Sequence, residues 1–297
     1  MASQADPREK KQVSPATASG NTEAGLVSVV IPVYNSEKTL RQCLESVLGQ
    51  THKQCEIVVV DSHSVDRTAN IAREYNGRLY QLDGTPNLKR SYGLGQARGE
   101  YVLYLDSDMV LTPTVVEDCV ACLAGGKADA LEIKEVSVAR GFWAKCLVPT
   151  RGAFAQAGII LPRFFHRRVL EAVPVDEEIL FGDDYAHSIE MTKAGFRLAQ
   201  TDAVVEHNEH TSLKGMYRRY HEAFKSSPRF TKKHGLKPLA PYASANIGAT
   251  FKKWILTGLF LRDPHHFAGM LVIKVVRLSG AVTGTVAGLL GSSFKSH

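Results

Sequence analysis

The sequence predicts an α/β protein in which a mostly parallel sheet is flanked by helices and followed by a helical C-terminal extension. Two observations predict this fold class. Short runs rich in β-branched residues alternate with segments of helical periodicity over residues 26–106, and parallel strands need crossover helices of this kind between them. The last third of the chain is instead basic and apolar, which is typical of a separate helical region.

Each predicted element follows from its own pattern. The first strand is LVSVVIPVYN, and the segment SEKTLRQCLESVLGQ after it repeats apolar residues at helical spacing behind a serine. The later strands are CEIVVVD, RLYQLD and EYVLYLD, and the later helices cover residues 66–75 and 89–97. This order predicts helices on both faces of the sheet.

Composition is that of a folded intracellular protein. The 297 residues are 44% hydrophobic and 22% charged, which excludes wholesale disorder, collagen-like repetition and a disulfide-rich mini-scaffold. Five cysteines, an odd number, fit a reducing compartment. We expect a disordered tail over residues 1–25, which are polar, and no apolar run follows their basic residues to form a secretory signal. The expected location is therefore cytoplasmic.

Charge is distributed unevenly along the chain. The whole sequence has 36 Lys and Arg against 30 Asp and Glu, a net charge of +6. Residues 213–297 hold 14 basic and 2 acidic residues, a net charge of +12, which leaves −6 for residues 1–212. This asymmetry indicates that the C-terminal third meets an anionic partner, such as a membrane surface, a phosphorylated lipid or a nucleic acid.

Polar residues follow three of the predicted strands, at the edge where parallel sheets bind ligands. These residues are Tyr34 and Asn35, then Asp61 and Ser62, then Asp106, Ser107 and Asp108. An aspartate in this position also caps a following helix, which is the alternative for Asp61.

Asp106 and Asp108 are candidates for a shared cation. Alternate residues of an extended segment point the same way, so their carboxylates can converge on one divalent cation. Two like charges side by side are costly, and a metal or a basic partner is therefore expected there. The alternative is a turn with two solvated aspartates.

Together these motifs resemble the nucleotide-binding half of family 2 glycosyltransferases, which have the GT-A fold. The segments that carry the resemblance are VSVVIPVYN, IVVVDSHSVDRT and LKRSYGLGQARGEYVLYLDSD. A fourth segment, VDEEILFGDDYAHSIEMTKAGFRLA, resembles the acceptor side of the family, where an acidic pair precedes an amphipathic helix. The resemblance covers residues 27–220 and implies a GT-A catalytic domain over residues 26–212, followed by a basic, amphipathic helical region over residues 213–297.

The resemblance implies a metal-dependent, inverting transfer of a single sugar from a nucleoside-diphosphate sugar to an acceptor hydroxyl. The residues that would bind the donor nucleotide are Pro32, Tyr34, Asn35, Asp61, Arg90, Asp106 and Ser107. Asp106 and Asp108 match the DXD motif, whose acidic groups hold Mg²⁺ or Mn²⁺ on the diphosphate. Such a cation neutralises charge on the leaving nucleotide.

Two further assignments depend on the same resemblance. Asp184 matches the general base that deprotonates the acceptor hydroxyl, and its neighbour Asp183 stands where a glutamate is commoner. Ser62 replaces a frequent second aspartate after the second strand. His207 lies where several GT-A enzymes have a histidine near the metal, with His210 nearby in sequence; a structural or solvated histidine is the alternative.

Other patterns favour no competing enzyme class. GLGQARG precedes a strand, whereas a dinucleotide fingerprint follows one. Cys119 and Cys122 have no second CxxC to complete a zinc site, so they are interpreted as small buried side chains. The QxxRW motif of processive synthases is missing, which favours transfer of one sugar. A non-catalytic relative that binds a nucleotide sugar or a membrane is one alternative function, and a basic nucleic-acid-binding protein is a less favoured one.

The C-terminal region combines basic, aromatic and apolar stretches. Basic and aromatic residues interleave over residues 212–237, and the apolar stretches at 251–261 and 267–290 are interrupted by charged residues. The uncharged, apolar run over residues 278–291 is shorter than the ~20 residues that span a bilayer. We expect it to lie in the membrane interface or to pack on the catalytic domain, with Gly280, Gly284 and Gly288 permitting close helix approach. This predicts a peripheral protein on the cytoplasmic face of an anionic membrane, acting on a lipid-linked acceptor or surface glycan precursor.

Overall fold

The first strand lies in the interior of an eight-stranded sheet. Its side chains are apolar on both faces of the sheet, which suits a strand that is covered on both sides. The computed structural model describes residues 22–147, 158–209, 212–238 and 258–293. Within these ranges the strand order is β3-β2-β1-β4-β7-β6-β8-β5. The strands are β1 (Glu23–Val33), β2 (Cys55–Asp61), β3 (Arg78–Gln81), β4 (Gly99–Tyr104), β5 (Met109–Leu111), β6 (Ala130–Ala139), β7 (Phe164–His166) and β8 (Leu198–Glu209).

Helices connect the strands and cover both faces of the sheet. Those of the sheet domain are α1 (Leu40–Leu48), α2 (Thr68–Glu74), α3 (Pro86–Gln96), α4 (Val115–Ala124), α5 (Phe142–Leu147), α6 (Arg167–Ala172) and α7 (Asp183–Lys193). The C-terminal helices are α8 (Leu213–Phe224), α9 (Ser227–His234), α10 (Leu259–Arg262) and α11 (Pro264–Ser293).

Alternate residues of β1 pack into two separate hydrophobic cores, one on each face of the sheet. Val29 and Ile31 pack into the core on one face, and Val30 packs with Val58 of β2 on the other. Strand β1 pairs in parallel with β2 on one side and with β4 on the other. A strand buried on both faces needs a continuous apolar sequence, and the VSVVIPV run of β1 is one.

Two later strand insertions bring distant residues to the edge where β1, β2 and β4 end. β7 is antiparallel to both β4 and β6, and the backbone N–H of Tyr104 donates to the carbonyl of Arg163 (2.9 Å). β8 lies between β6, with which it is parallel, and β5, with which it is antiparallel. The fold class expected from the sequence is confirmed, with antiparallel pairs confined to β5 and β7.

The C-terminal helices pack on the sheet domain and on each other. The Ser226 hydroxyl accepts hydrogen bonds from the backbone N–H groups of Leu180 (2.9 Å) and Phe181 (2.8 Å), just before α7. Helix α11 lies against α8 along its glycines. A Cβ added to Gly284 would lie 2.2 Å from the backbone oxygen of His221, and one added to Gly288 would lie 2.2 Å from that of Lys225. The expected glycine face therefore serves packing within the chain.

Helix α11 is longer than the uncharged run suggested. Among the described residues it is the one helix that is long and apolar enough, by length and composition, to cross a membrane. The Arg277 guanidinium lies 5.1 Å from the ring centre of Tyr220 on α8, so this charge is directed at the neighbouring helix. Residues 251–257 of the earlier apolar stretch lie outside the described part of the chain.

The predicted tail boundary at residue 25 is wrong. Strand β1 begins at Glu23, whose N–H donates to the carbonyl of Arg98 (2.9 Å), and the Gly25 N–H donates to the Glu100 carboxylate (2.9 Å). Polar composition did not reveal these contacts, because they are made by the backbone to the start of β4. Residues 1–21 lie outside the described ranges.

Helix α3 begins earlier than its sequence pattern predicted, whereas the CxxC segment is buried as expected. Helix α3 begins at Pro86, one turn earlier than predicted, because the Thr85 hydroxyl accepts from the Leu88 N–H and proline occupies the first turn. In α4, Cys119 is fully buried in the core and Cys122 is partly buried, and both are free thiols. This agrees with their interpretation as apolar side chains.

Candidate active site

The loops after β1 and β2 are tied together by short polar side chains. Asn35 adopts a left-handed conformation (φ 49°) that asparagine tolerates. Its backbone N–H donates to the Ser64 hydroxyl (2.8 Å), and its side-chain oxygen accepts from the Val65 N–H (3.0 Å). Pro32 is half-buried within β1, and Tyr34 is 62% exposed next to Asn35. These contacts fix the loop after β1 against the loop after β2.

Asp61 is the last residue of β2 and is completely buried. Its carboxylate accepts hydrogen bonds from the backbone N–H and the hydroxyl of Ser64. It shapes the turn after β2 but is not the N-cap of α2, which is Arg67. The nearby Lys89 ammonium donates to the carbonyl of Val33 (2.9 Å), and burial lowers the pKa of Lys89. Ser62 donates to the carbonyl of Leu82 (3.3 Å) and so joins β2 to the end of β3.

Asp106 is held by two arginines, one on each carboxylate oxygen. Arg90 of α3 donates to Oδ1 and Arg163, just before β7, donates to Oδ2, each at 3.0 Å. Burial raises the pKa of Asp106, but Arg163 and Arg90 outweigh that effect and hold the pKa well below its usual range. The expected basic partner is therefore present. Ser107, next along the turn, donates to the Ser36 hydroxyl (2.9 Å).

Asp108 points to a histidine and not alongside Asp106. Strand β4 ends at Tyr104 and residues 107–108 form a turn, so the strand alternation expected for the two carboxylates does not apply. Asp108 Oδ2 lies 3.4 Å from Nε2 of His207, and the other ring nitrogen, Nδ1, lies 3.3 Å from Glu135. The sequence prediction that His207 lies beside the acidic motif agrees with this geometry. His210 is outside the described residues.

Asp183 and Asp184 form the first turn of α7, where the helix dipole favours negative charge. The turn is entered through Gly182, whose left-handed φ of 59° suits glycine. Arg90 Nη1 lies 3.4 Å from Asp183 Oδ2 and 3.7 Å from Asp184 Oδ1. Burial and the Asp184 carboxylate raise the pKa of Asp183 to about 7. One carboxyl of the pair thus holds a proton near neutral pH while Asp184 is 40% exposed.

Arg90 joins the two acidic groups. Its side chain is 8% exposed, contacts Asn87 Oδ1 (3.1 Å) and lies 5.8 Å from the ring centre of Tyr104. Asp106 and Asp183 are 77 residues apart in sequence, yet both reach this one guanidinium. The strand-end motif and the acidic pair predicted from the sequence are therefore parts of a single site.

A cleft of about 260 Å³ opens beside the acidic pair. Asp183, Asp184 and Tyr185 form one wall, and Arg219 and Tyr220 of α8 are on the other. Aromatic rings with a few polar groups suit a sugar or another partly apolar molecule. Asp184 is therefore accessible from this cleft.

Sequence reasoning missed two residues of the site. Arg163 and Glu135 lie between the motifs, and their ion pair (2.8 Å) connects Asp106 to His207. An isolated arginine in the apolar segment LPRFF was the available signal for Arg163. Glu135 left no such signal, because it is one of three charged residues in β6, with Glu132 and Lys134.

The charges of the site favour a divalent cation. Five carboxylates, those of Asp106, Asp108, Glu135, Asp183 and Asp184, surround two guanidinium groups, which leaves an excess of negative charge. The carboxylate of Asp108 and the imidazole of His207 are donors that suit Mn²⁺, and carboxylates suit Mg²⁺. Among the described residues, however, no three His, Cys, Asp or Glu side chains are already gathered as a ligand set. Asp108 and His207 fit such an ion, and a bound diphosphate would have to supply further oxygens.

Comparison with known proteins agrees with this geometry. Residues 28–153 match the family model of Glycosyl transferase family 2. An uncharacterised glycosyltransferase of Rickettsia typhi is 34% identical over 125 residues, which cover 41% of this chain and 38% of that protein. The poly(ribitol-phosphate) β-N-acetylglucosaminyltransferase TarS of Staphylococcus aureus is 37% identical over 116 residues, 36% of this chain and 20% of TarS. The chain thus spans well under half the length of these relatives.

Two solved structures share the fold. TarS residues 1–349 in complex with UDP-GlcNAc give a TM-score of 0.53 at 19% identity, covering 90% of this chain and 92% of that one. The mannosyltransferase PcManGT of Pyrobaculum calidifontis, in complex with GDP-Man and Mn²⁺, gives a TM-score of 0.55 at 18% identity, covering 96% and 92%. The GT-A fold is confirmed, and the match over residues 28–153 supports the predicted family.

Proposed function

The chain carries a glycosyl transferase family 2 domain, and on that premise we propose that it transfers a single sugar from a nucleoside-diphosphate sugar to an acceptor hydroxyl, with inversion. One observation carries the proposal. Arg90 contacts Asp106 of the strand-end motif at 3.0 Å and both members of the acidic pair within 3.7 Å. A donor phosphate and a base for the acceptor would therefore be held on opposite sides of one guanidinium.

The donor is proposed to bind at the ends of β1, β2 and β4. Pro32, Tyr34, Asn35 and Asp61 would contact the nucleoside, since they lie at the ends of β1 and β2 and hydrogen bonds join the two loops that follow. Ser107, Arg90 and Arg163 lie around Asp106, where the diphosphate of the donor is proposed to bind. Arginine is suited to phosphate because its planar fork donates two parallel hydrogen bonds.

A divalent cation is proposed as the cofactor, Mn²⁺ or Mg²⁺, held by Asp108 and His207 with Asp106 close by. When bound, the ion would offset negative charge on the leaving diphosphate as a Lewis acid. The excess of carboxylates over guanidinium groups supports this requirement, because an anionic donor would otherwise enter a negatively charged site. Asp106 holds both Arg90 and Arg163. The positive charge of these two guanidinium groups and that of the ion would therefore act together on the diphosphate.

Asp184 is proposed as the general base and Asp183 as its partner. Asp184 faces the cleft and is the more exposed of the pair, so an acceptor hydroxyl can reach it. The raised pKa of Asp183 indicates that burial and mutual repulsion keep one proton on the pair near neutral pH. Asp184, the more exposed member, is proposed to accept the hydroxyl proton as the bond to the sugar forms.

Donor binding tests this function directly. We expect thermal stabilisation of the protein by one of UDP, GDP, dTDP or CMP in the presence of Mn²⁺, since a ligand at 100 times its Kd adds ~2.7 kcal/mol. The Asp108→Asn variant should lose the Mn²⁺-dependent part of the shift, and Asp202→Asn, an exposed site in β8, should keep it. Absence of a shift with every nucleotide would contradict the donor site and favour a non-catalytic relative.

We also propose that the protein works peripherally at a membrane, on its cytoplasmic face, where a lipid-linked acceptor would be found. Helix α11 exposes an apolar stripe made by Leu271, Val275, Leu278, Val282, Val286 and Leu289. Their spacing of three and four residues puts them on one helix face over ~27 Å. The net charge of +12 in residues 213–297 suits anionic lipid headgroups.

Vesicle flotation tests whether the apolar stripe of α11 contacts a membrane. We expect the full chain to float with vesicles containing phosphatidylserine at low salt, and Val275→Asp/Val282→Asp to remain at the bottom. Val65→Asp is the matched control, because Val65 is 89% exposed on the sheet domain. If the double variant floats as the parent does, or changes only the oligomeric state, the stripe is not a membrane contact.

A further inference from the structure

His207 is placed between two carboxylates by the order of the strands. β8 lies between β6, which carries Glu135, and β5, which begins at the residue after Asp108. The backbone N–H of Asn208 donates to the carbonyl of Asp108 (2.8 Å) and fixes that side. The two ring nitrogens of His207 therefore face Glu135 and Asp108, at 3.3 and 3.4 Å.

A register shift between β6 and β8 makes this arrangement possible. Ile133 pairs with Thr201, but the next residue, Lys134, pairs with Val204, so β8 holds two extra residues at this point. Beyond the shift His207 lies opposite Ser137. Without it, His207 would lie two residues further along β6, ~6.6 Å away. Ser137 and Glu135 share a face of β6, so the shift brings the imidazole within reach of the Glu135 carboxylate.

The chemistry of the two contacts is unequal. An ionised carboxylate only accepts hydrogen bonds, so a cation bound on the Asp108 side would leave Nδ1 as the nitrogen that donates its proton to Glu135. Nε2 then presents its lone pair towards Asp108. Nε2 of His207 and the carboxylate of Asp108 then both direct lone pairs towards the same point. A cation can bind between two such groups, whereas two N–H or O–H groups would repel it.

Glu135 is itself fixed by Arg163. Nε and Nη2 of Arg163 contact Oε1 of Glu135 at 2.8 Å, while Oε2 is the atom near His207. Arg163 also donates to Asp106 (3.0 Å). A continuous chain of contacts therefore runs from Asp106 through Arg163, Glu135 and His207 to Asp108, and the two acidic residues of the motif are its ends.

We propose that Glu135 is a positioning residue for the cation site: it holds His207 in the tautomer and ring orientation that turn Nε2 towards Asp108, and Arg163 holds Glu135 in place. The role rests on the cation site of the proposed function. Glu135 would not touch the cation or the substrates. It would act through the imidazole, as the carboxylate partners of metal-binding histidines do.

Mn²⁺ binding is the test. MnCl₂ is titrated into the full chain saturated with UDP or GDP, whichever stabilises it, and free Mn²⁺ is followed by electron paramagnetic resonance. We expect Glu135→Gln to weaken Mn²⁺ binding about 10–100-fold. Glu132→Gln is the matched control, because Glu132 is on the same strand and bonds to Gln200. The double variant Glu135→Gln/His207→Gln should bind no more weakly than His207→Gln, since Glu135 acts through that ring.

The possible results separate the two proposals. If Glu135→Gln binds Mn²⁺ as the parent does while Asp108→Asn binds it weakly, the positioning role is wrong and the cation site stands. If Asp108→Asn also binds as the parent does, the cation site itself is wrong. Nitrogen-15 NMR of the parent protein, with the His207 signals identified by their loss in His207→Gln, gives a second test. The Nδ1–H tautomer is expected, and the Nε2–H tautomer would overturn the proposal even if Glu135→Gln did not fold.

Discussion

Two regions of the site meet at Arg90 and are built by different means. The strand-end group, made of Asp106, Asp108, Glu135, Arg163 and His207, is linked by ion pairs and histidine contacts of 2.8–3.4 Å. The helix-side cleft lies between α7 and α8 and has aromatic and apolar walls. Arg90 contacts Asp106 of the strand-end group and also the acidic pair beside this cleft. The first region is organised before any ligand binds, whereas the second offers shape and a proton acceptor.

This difference indicates how the two substrates would be recognised. Diphosphate chemistry is the same for every nucleotide sugar, so a pre-organised set of charges serves it with little reorganisation. Acceptors differ in shape, and a cleft walled by helices α7 and α8 can be changed without disturbing the ion-paired group. Substitutions in each region can therefore establish whether the two are separable.

The largest expected effect is loss of turnover in the cleft. Asp184→Asn should lower kcat by ~10³ and leave donor binding intact, because removal of a general base affects proton transfer and not the diphosphate contacts. Release of nucleoside diphosphate with a supporting acceptor measures kcat. Glu190→Gln, further along α7 and paired with Lys193, is the control. Unchanged turnover in Asp184→Asn would sink the base assignment.

A large stability effect is expected in the strand-end group. Arg163→Met should lower the free energy of unfolding by about 3 kcal/mol or more, because Asp106 and Glu135 both lose a partner of low exposure. Arg219→Met, on the exposed side of the cleft, should change it by less than ~0.5 kcal/mol. Urea unfolding measures both variants, and equal losses would show that the regions are not built differently.

An intermediate effect is expected where α11 supports the cleft wall. Gly284→Ala should destabilise the protein by ~1–3 kcal/mol, because its Cβ would lie 2.2 Å from the carbonyl oxygen of His221 on α8. Gly291→Ala meets no atom within 4 Å and should be neutral or stabilising, since alanine favours helix. Nucleotide-induced thermal shifts should survive in both. Their loss in Gly284→Ala would mean that the strand-end group depends on the C-terminal helices.

A pH dependence of stability is expected at Asp183. Its pKa is about 7 in the folded protein against 3.8 ordinarily, so the folded state binds the proton more tightly than the unfolded chain. Ionising this group costs stability: the cost is absent below about pH 4, grows as the pH rises to 7 and is constant above. Asp183→Asn avoids that cost. Its Tm relative to the parent should therefore be higher at pH 8 than at pH 5, and a difference independent of pH would contradict the raised pKa.

Some assignments needed only local sequence. The apolar, β-branched run of β1 predicted a strand, and the ends of the predicted strands indicated Asn35, Asp61 and Asp106 as residues at the ligand-binding edge. These features depend on periodicity and composition, which neighbouring residues carry. The turn at residues 107–108 was not predicted. The expected alternation of Asp106 and Asp108 assumed a strand that continues past Tyr104, where β4 ends.

What the sequence by itself determined is therefore the α/β order, the family and the residues at the strand ends, since each depends on short segments whose physical preferences are local. The tertiary structure alone decided which charges meet. Arg163 reaches Asp106 across 57 residues because β7 inserts next to β4, and Glu135 reaches His207 across 72 residues because β8 shifts register against β6. Ion pairs between distant residues follow strand order and register, and no local pattern contains that information.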